Sequence, residues 1–136
     1  MSRIQMQLSR PTLLAFKEYK RLVYGDSEIN ATNGYVLGVA LRGILEDISS
    51  TKTLDNLDSI DSIPWVNVAK DEVPNVTNSN DKDVVRTKTT LTMDKEINDA
   101  LVVLQSEFKS IFGTQRIYKA FVVKMIMFAS IKKLIS

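Results

Sequence analysis

The chain has 136 residues, 44 % of them apolar and 25 % charged, with neither cysteine nor histidine. These proportions are ordinary for a soluble globular protein and argue against global disorder. The missing residue types exclude disulfides, thiolate or imidazole metal ligands, and Cys or Ser–His nucleophilic catalysis. The net charge of +2 is unevenly spread. It is +1 over residues 1–48, −4 over 49–83 and +5 over 84–136. A basic C-terminal part beside an acidic middle suits a polyanion-binding unit joined by a tether that does not compete for the polyanion. The amino terminus has no apolar signal-peptide run, and no apolar stretch approaches a membrane span. The expected location is the cytoplasm, with no membrane contact.

The chain opens with Arg3-Ile4-Gln5-Met6-Gln7-Leu8, an alternation that fits a short strand with a polar face (Arg3, Gln5, Gln7) and an apolar one (Ile4, Met6, Leu8). Ser9 then serves as a helix cap, with Pro11 tolerated in the first turn. The helix is expected over Leu13–Tyr24, burying Leu14, Tyr19, Leu22 and Val23 and leaving Lys17, Glu18, Lys20 and Arg21 mainly outside. Gly25 stops it. After a polar connection with Asn30, Thr32 and Asn33 as candidate caps, a second helix is expected over Gly34–Ile48. Val36, Leu37, Ala40, Leu41, Ile44, Leu45 and Ile48 hold the three-and-four spacing of one buried face. Gly34, Gly38 and Gly43 lower its intrinsic propensity and point to close packing.

Residues 49–83 read as an acidic and polar linker. Leu54, Leu57, Ile60 and Ile63 alternate with Asp55, Asp58 and Asp61, which allows one short helical turn. Trp65 is expected to be an apolar anchor, because its acidic surroundings would repel a phosphate. From Val73 to Asp81 the composition reads as flexible. A coil of about 30 residues reaches roughly 30 Å, enough for the next segment to fold back on the first.

The second half repeats the order of the first. Arg86-Thr87-Lys88-Thr89-Thr90-Leu91 lies 83 positions after the first strand, so Arg3 matches Arg86, Gln5 matches Lys88 and Gln7 matches Thr90. Its inner face, with Thr87 and Thr89, is less apolar. Thr92 or Asp94 starts a helix carrying Ile97, Leu101, Leu104, Phe108 and Ile111 until Gly113. Thr114 is expected to cap a last helix burying Ile117, Tyr118, Phe121, Val122, Met125, Ile126 and Ala129. These lie 81 positions after the buried set of the earlier helix. Val123, Met127 and Phe128 lie beyond that stripe and are expected to form a contact between molecules.

A polar-faced strand followed by two helices, present twice, resembles the ribbon-helix-helix family of DNA-binding proteins. The tandem form is similar to accessory proteins of conjugative plasmids, and the resemblance covers about residues 1–48 and 84–131. It implies a mainly α fold with a short two-stranded antiparallel ribbon. Two ribbon-helix-helix units in one chain would form an intramolecular pseudo-dimer. It implies sequence-specific binding of double-stranded DNA through the ribbon in the major groove, with Arg3, Gln5, Gln7, Arg86, Lys88 and Thr90 contacting bases. Thr32, Asn33, Gly34, Thr114, Gln115 and Arg116 would contact phosphate at the start of each second helix. The implied roles are relaxosome accessory protein in plasmid transfer or transcription regulator. They bring self-association on DNA and a relaxase or other transfer protein as partners, with no cofactor. The alternative is a helical interaction or scaffold protein whose strands serve only dimerisation. No paired carboxylates, phosphate loop or nucleophile constellation supports an enzyme.

Overall fold

The computed structural model describes residues 1–45, 63–77, 79 and 85–136; the expectations placed on Ile48, Leu54, Asp55, Leu57, Asp58, Ile60 and Asp61 lie outside them. The chain is mainly helical, with one two-stranded antiparallel sheet. Strand β1 (Ser2–Ser9) is followed by α1 (Arg10–Tyr24) and α2 (Asn33–Ile44). A short helix α3 (Trp65–Lys70) comes next. Strand β2 (Arg86–Met93) is followed by α4 (Lys95–Phe112) and α5 (Lys119–Ile135).

Several boundaries have a local cause. The Ser9 hydroxyl accepts from the Thr12 N–H at 3.3 Å and lies 2.8 Å from the Thr12 hydroxyl, so α1 starts on its capping serine with Pro11 in the first turn. Thr32 caps α2, accepting from the Tyr35 N–H at 3.2 Å. Helices α1 and α4 both end at a left-handed glycine, Gly25 at φ 76° and Gly113 at φ 64°.

β1 and β2 pair in the register Ser2↔Met93 to Ser9↔Arg86. Alternation then sorts their side chains. Met6, Leu8, Leu91 and Met93 are buried beneath the ribbon, while Arg3, Gln5, Gln7, Arg86, Lys88 and Thr90 are exposed above it. Thr87 is exposed and Thr89 half-buried, so the start of β2 adds little to the apolar underside, whereas Leu8 and Met6 opposite them are buried.

Helix α5 is the centre of the core. It packs on α1, α2, α3 and α4 and passes beneath β1. Residues Met125 to Ile131 are buried without interruption, and Val122 and Val123 are buried as well. A helix apolar on every side belongs inside. Val123, Met127 and Phe128 are therefore core residues and not a contact surface between molecules, which corrects the sequence expectation. Ser130 fixes α5 against α2, its hydroxyl lying 3.2 Å from the Ala40 carbonyl and 2.7 Å from that of Ile126.

The region expected to be a linker contributes to this body. Trp65 is 2 % exposed and sets its ring edge-on to Phe108 at 4.9 Å. Phe108 in turn meets Phe112 at 5.5 Å and Phe121 at 6.2 Å, so one aromatic cluster joins α3, α4 and α5. Beyond α3, Val73, Val76 and Ser79 are buried, and the Ser79 hydroxyl accepts from the Val73 N–H at 2.9 Å. Val73 to Thr77 is thus packed chain.

Glu18 also departs from expectation. It is 6 % exposed and accepts two hydrogen bonds from Arg21, at 2.7 and 2.8 Å, and a third from the Asn75 amide at 3.0 Å. The acid is buried because a segment far along the chain closes over it and satisfies it. On the same helix, Val23 and Tyr24 are exposed, while Leu14 and Leu22 are only half-buried. Ala15 and Phe16 take the core positions instead.

Two predictions follow from this packing. A Cβ at Gly34 would run into the Thr92 carbonyl of β2, whereas a Cβ at Gly43 meets nothing within 4 Å. Gly34→Ala should destabilise at or above the upper end of the roughly 1–3 kcal/mol typical of overpacking. Gly43→Ala should stabilise by about 0.5 kcal/mol through helix propensity. Denaturant melts of the two variants check this pair of signs. Separately, the Arg21 hydrogen bonds hold the Glu18 pKa below the usual carboxylate range against the opposing pull of burial, with the Asn75 bond assisting. A lowered folded-state pKa gives stability that is present above the unfolded glutamate pKa of about 4.3 and lost as pH falls through the folded value. Glu18→Gln should cost about 1–3 kcal/mol at pH 7. It should also flatten the acid limb of stability against pH, measured by urea melts from pH 7 down to pH 3.

Candidate nucleic-acid interface

The outward face of the ribbon is a two-column array. From one end to the other the rows are Arg3 with Thr92, Gln5 with Thr90, Gln7 with Lys88, and Ser9 with Arg86. All six residues expected to contact bases are exposed and brought together on this face. Outward residues on one strand recur about every 7 Å, and the columns stand roughly 5 Å apart. Among the described residues no ion pair engages Arg3, Arg86 or Lys88. Their charge is directed at solvent.

The two ends of the array differ. Lys88 and Arg86 stand together at one end, and the basic residues Lys70, Arg116 and Lys124 line a hollow there with Arg86 and Gln7. At the other end Arg3 is the sole cation in its row. Nearby, Arg42 is engaged by Asp94 at 3.6 Å and by Glu96 at 3.8 Å. Among the described residues, Arg86 and Lys88 thus make one end of the array more basic than the other.

The residues expected to contact phosphate divide the same way. Thr32, Asn33 and Gly34 do open α2. Thr32 is exposed and Asn33 half-buried, but Gly34 is buried against β2 and offers no surface. Thr114, Gln115 and Arg116 are all exposed, yet they do not open α5. That helix begins at Lys119, with Tyr118 at its N-cap position and no side-chain cap, so Thr114 is not its cap. The delay has visible causes. The Gln105 amide donates to the Ile117 carbonyl at 2.9 Å, and Arg116 Nη1 donates to the Tyr118 hydroxyl at 3.2 Å with its guanidinium 5.7 Å from that ring. These bonds hold residues 114–118 outside the helix.

Sequence reasoning missed Lys119, Lys70 and Lys124. Lys119 stands in the first turn of α5, where N–H groups lack intrahelical partners and favour an anion. Its ammonium donates to Asn98 Oδ1 at 3.0 Å. The signal for Lys119 was its place just ahead of the apolar run, whereas Lys70 is read as linker until α3 is seen packed on the body. Among the described residues no cluster of three acidic side chains could hold a metal, and no helix is long and apolar enough to cross a membrane. No protein-family model matches the chain, and comparisons with curated proteins and with solved structures likewise return no match.

Proposed function

We propose that this chain is a cytoplasmic, sequence-specific double-stranded DNA-binding protein of ribbon-helix-helix type. Its two halves form one intramolecular pseudo-dimer, and the ribbon enters the major groove. The observation that carries the reading is the strand register. Met6 lies opposite Thr89, and these residues are 83 positions apart, the same offset that aligns the two halves in sequence. A local two-fold axis through that pair exchanges Gln5–Thr90 with Lys88–Gln7 and Arg3–Thr92 with Arg86–Ser9. The packing of α2 on α5 lies across the same axis, whereas the extensive packing of α1 on α5 has no comparable counterpart between α4 and α2.

Such a ribbon matches the width of the major groove, where base edges present both donors and acceptors. Arg3, Gln5 and Gln7 span roughly 14 Å, about four base pairs. Glutamine favours adenine N6 and N7, while arginine and lysine favour guanine O6 and N7; Thr90 adds little discrimination. Thr32 and Asn33 at one end and Arg116 with Lys119 at the other engage the flanking phosphates. The protein acts without catalysis or cofactor, as an accessory factor in plasmid transfer that presents DNA to a relaxase, or as a transcription regulator. Several copies assemble side by side on DNA.

Gln5→Ala and Lys88→Ala should each weaken binding to a site selected from a random duplex library by about 1–3 kcal/mol with unchanged melting curves. Fluorescence anisotropy at fixed salt measures this, and wild-type affinity in both variants removes the ribbon as the reader. Absence of salt-dependent duplex binding by the parent chain would favour the scaffold reading instead. Because one strand presents Arg3, Gln5 and Gln7 and the other Arg86, Lys88 and Thr90, a single molecule should read a non-palindromic element in one orientation. Inverting one half of the selected element should lower affinity by about tenfold or more. Footprints on the parent and inverted duplexes test it, and equal affinity would mean that the two strands are read as equivalent.

A further inference from the structure

Helix α2 opens at Asn33, and the position 81 residues further on is Thr114, yet α5 opens only at Lys119. Where the sequence repeat would place the first turn of α5, the chain runs as a non-helical connection. The corner left open is a cavity of about 620 Å³. The end of the ribbon and α3 form two of its walls, and residues 114–118 with the start of α5 form the third. Its size falls within the roughly 300–1,000 Å³ common to small-molecule sites.

The chemistry of the lining is one-sided. Lys70, Arg86, Arg116 and Lys124 contribute to it, and among the described residues no aspartate or glutamate does. Arg86 and Arg116 are in no described ion pair. The floor is apolar and aromatic, with Phe112 and Phe121 edge to face at 5.2 Å. Tyr118, 63 % exposed and flanked by the Arg116 guanidinium, adds a flat ring at the mouth. The Gln7 amide, on the ribbon wall, offers both donors and an acceptor.

These features narrow the ligand. An inorganic anion would satisfy the cations and leave most of the volume and all of the aromatic surface unused. A neutral apolar molecule would leave the Arg86 and Arg116 charges without a counter-charge. A flat ring carrying a phosphate answers both. We propose that this corner is a binding site for a nucleoside phosphate. Its phosphate lies between Arg86 and Arg116, its base rests on the aromatic floor, and the Gln7 amide meets the base edge. The same chemistry is offered by a free mononucleotide and by an unpaired nucleotide of a DNA strand.

The experiment is a calorimetric titration of the whole chain with AMP, GMP, CMP and dTMP, and in a second arm with a single-stranded tetranucleotide. The controls are adenosine and inorganic phosphate. At least one mononucleotide or the tetranucleotide should bind, and both controls should bind about tenfold more weakly or worse. Binding of a mononucleotide identifies the free ligand as the source, and binding of the tetranucleotide alone identifies a strand. Arg116→Glu lies on an exposed connection and should leave the melting curve unchanged while weakening binding about tenfold or more. Arg116→Lys should restore part of it, and Ala69→Trp, which fills the α3 wall, should weaken it. The proposal is overturned by any of three results: no binding at millimolar ligand, phosphate alone binding as tightly as the nucleotide, or Arg116→Glu binding like the parent. No duplex is present in the titration, so its outcome is independent of the proposal that the ribbon reads DNA.

Discussion

An eight-residue strand carries a ladder of backbone donors and acceptors that must be met, and an isolated short ribbon is marginal in water. Here the partners lie far apart in the sequence, with Ser2 against Met93 and Ser9 against Arg86. Pairing them fixes how the remaining elements can lie. The residues before and after each strand are anchored at once. Arg10 donates its N–H to the Val85 carbonyl at 3.0 Å, and Gly34 seats α2 directly against the Thr92 backbone. With both strands committed to each other, their apolar faces need cover, which α5 supplies beneath β1 and α2 beneath β2.

The helices divide labour unequally. The middle of α5, residues 125–131, is enclosed on all sides, while α1 and α4 each expose a broad flank. Apart from Arg21 with the buried Glu18, the described ion pairs lie at the periphery, among them Arg42 with Asp94 and Glu96, Lys132 with Asp71 at 2.6 Å, and Lys17 with Glu28 at 3.6 Å. Exposed pairs of this kind contribute at most about 1 kcal/mol each. Their arrangement matters more for the field. Arg42 is neutralised beside one ribbon end, while Arg86 and Lys88 at the other are in no described ion pair, which gives the outward face a direction.

Much of the fold was legible because strands and helices impose different periods. The alternation of Ile4, Met6 and Leu8 and the three-and-four spacing from Val36 to Leu45 each correspond to a buried face in the structure. Gly25, Gly113, Ser9 and Thr32 mark real boundaries. What failed were inferences that depend on which neighbour arrives. Glu18 looks like surface until Asn75 reaches it from a segment 57 positions away. Val73 and Val76 are too sparse to show a period and are buried only because the body offers them a place. The late start of α5 depends on Gln105 capturing the Ile117 carbonyl, a tertiary contact invisible to local capping rules. The centrality of α5 could have been read, since an apolar run on every side of a helix has only one stable location. The six outward ribbon residues emerged from alternation alone, whereas the hollow beside Arg86 needed the chain folded.

The pairing of distant strands also sets a clock on synthesis. Residues Arg86–Met93 must leave the ribosome before Ser2–Ser9 can close a single ladder bond between them. At roughly 5–20 residues per second, the first strand waits on the order of 4–20 s. Through that interval α1 and α2 have been made, but α5, which is to cover them, has not. The nascent first half therefore travels with an open strand edge and an uncovered apolar stripe. On a crowded polysome, the earliest available partner for that edge is the completed second half of a neighbouring chain. Exchange of halves between neighbours would pair β1 of one chain with β2 of the other in the same register. Fidelity of assembly thus rests on the tether bringing the chain's own second strand home first.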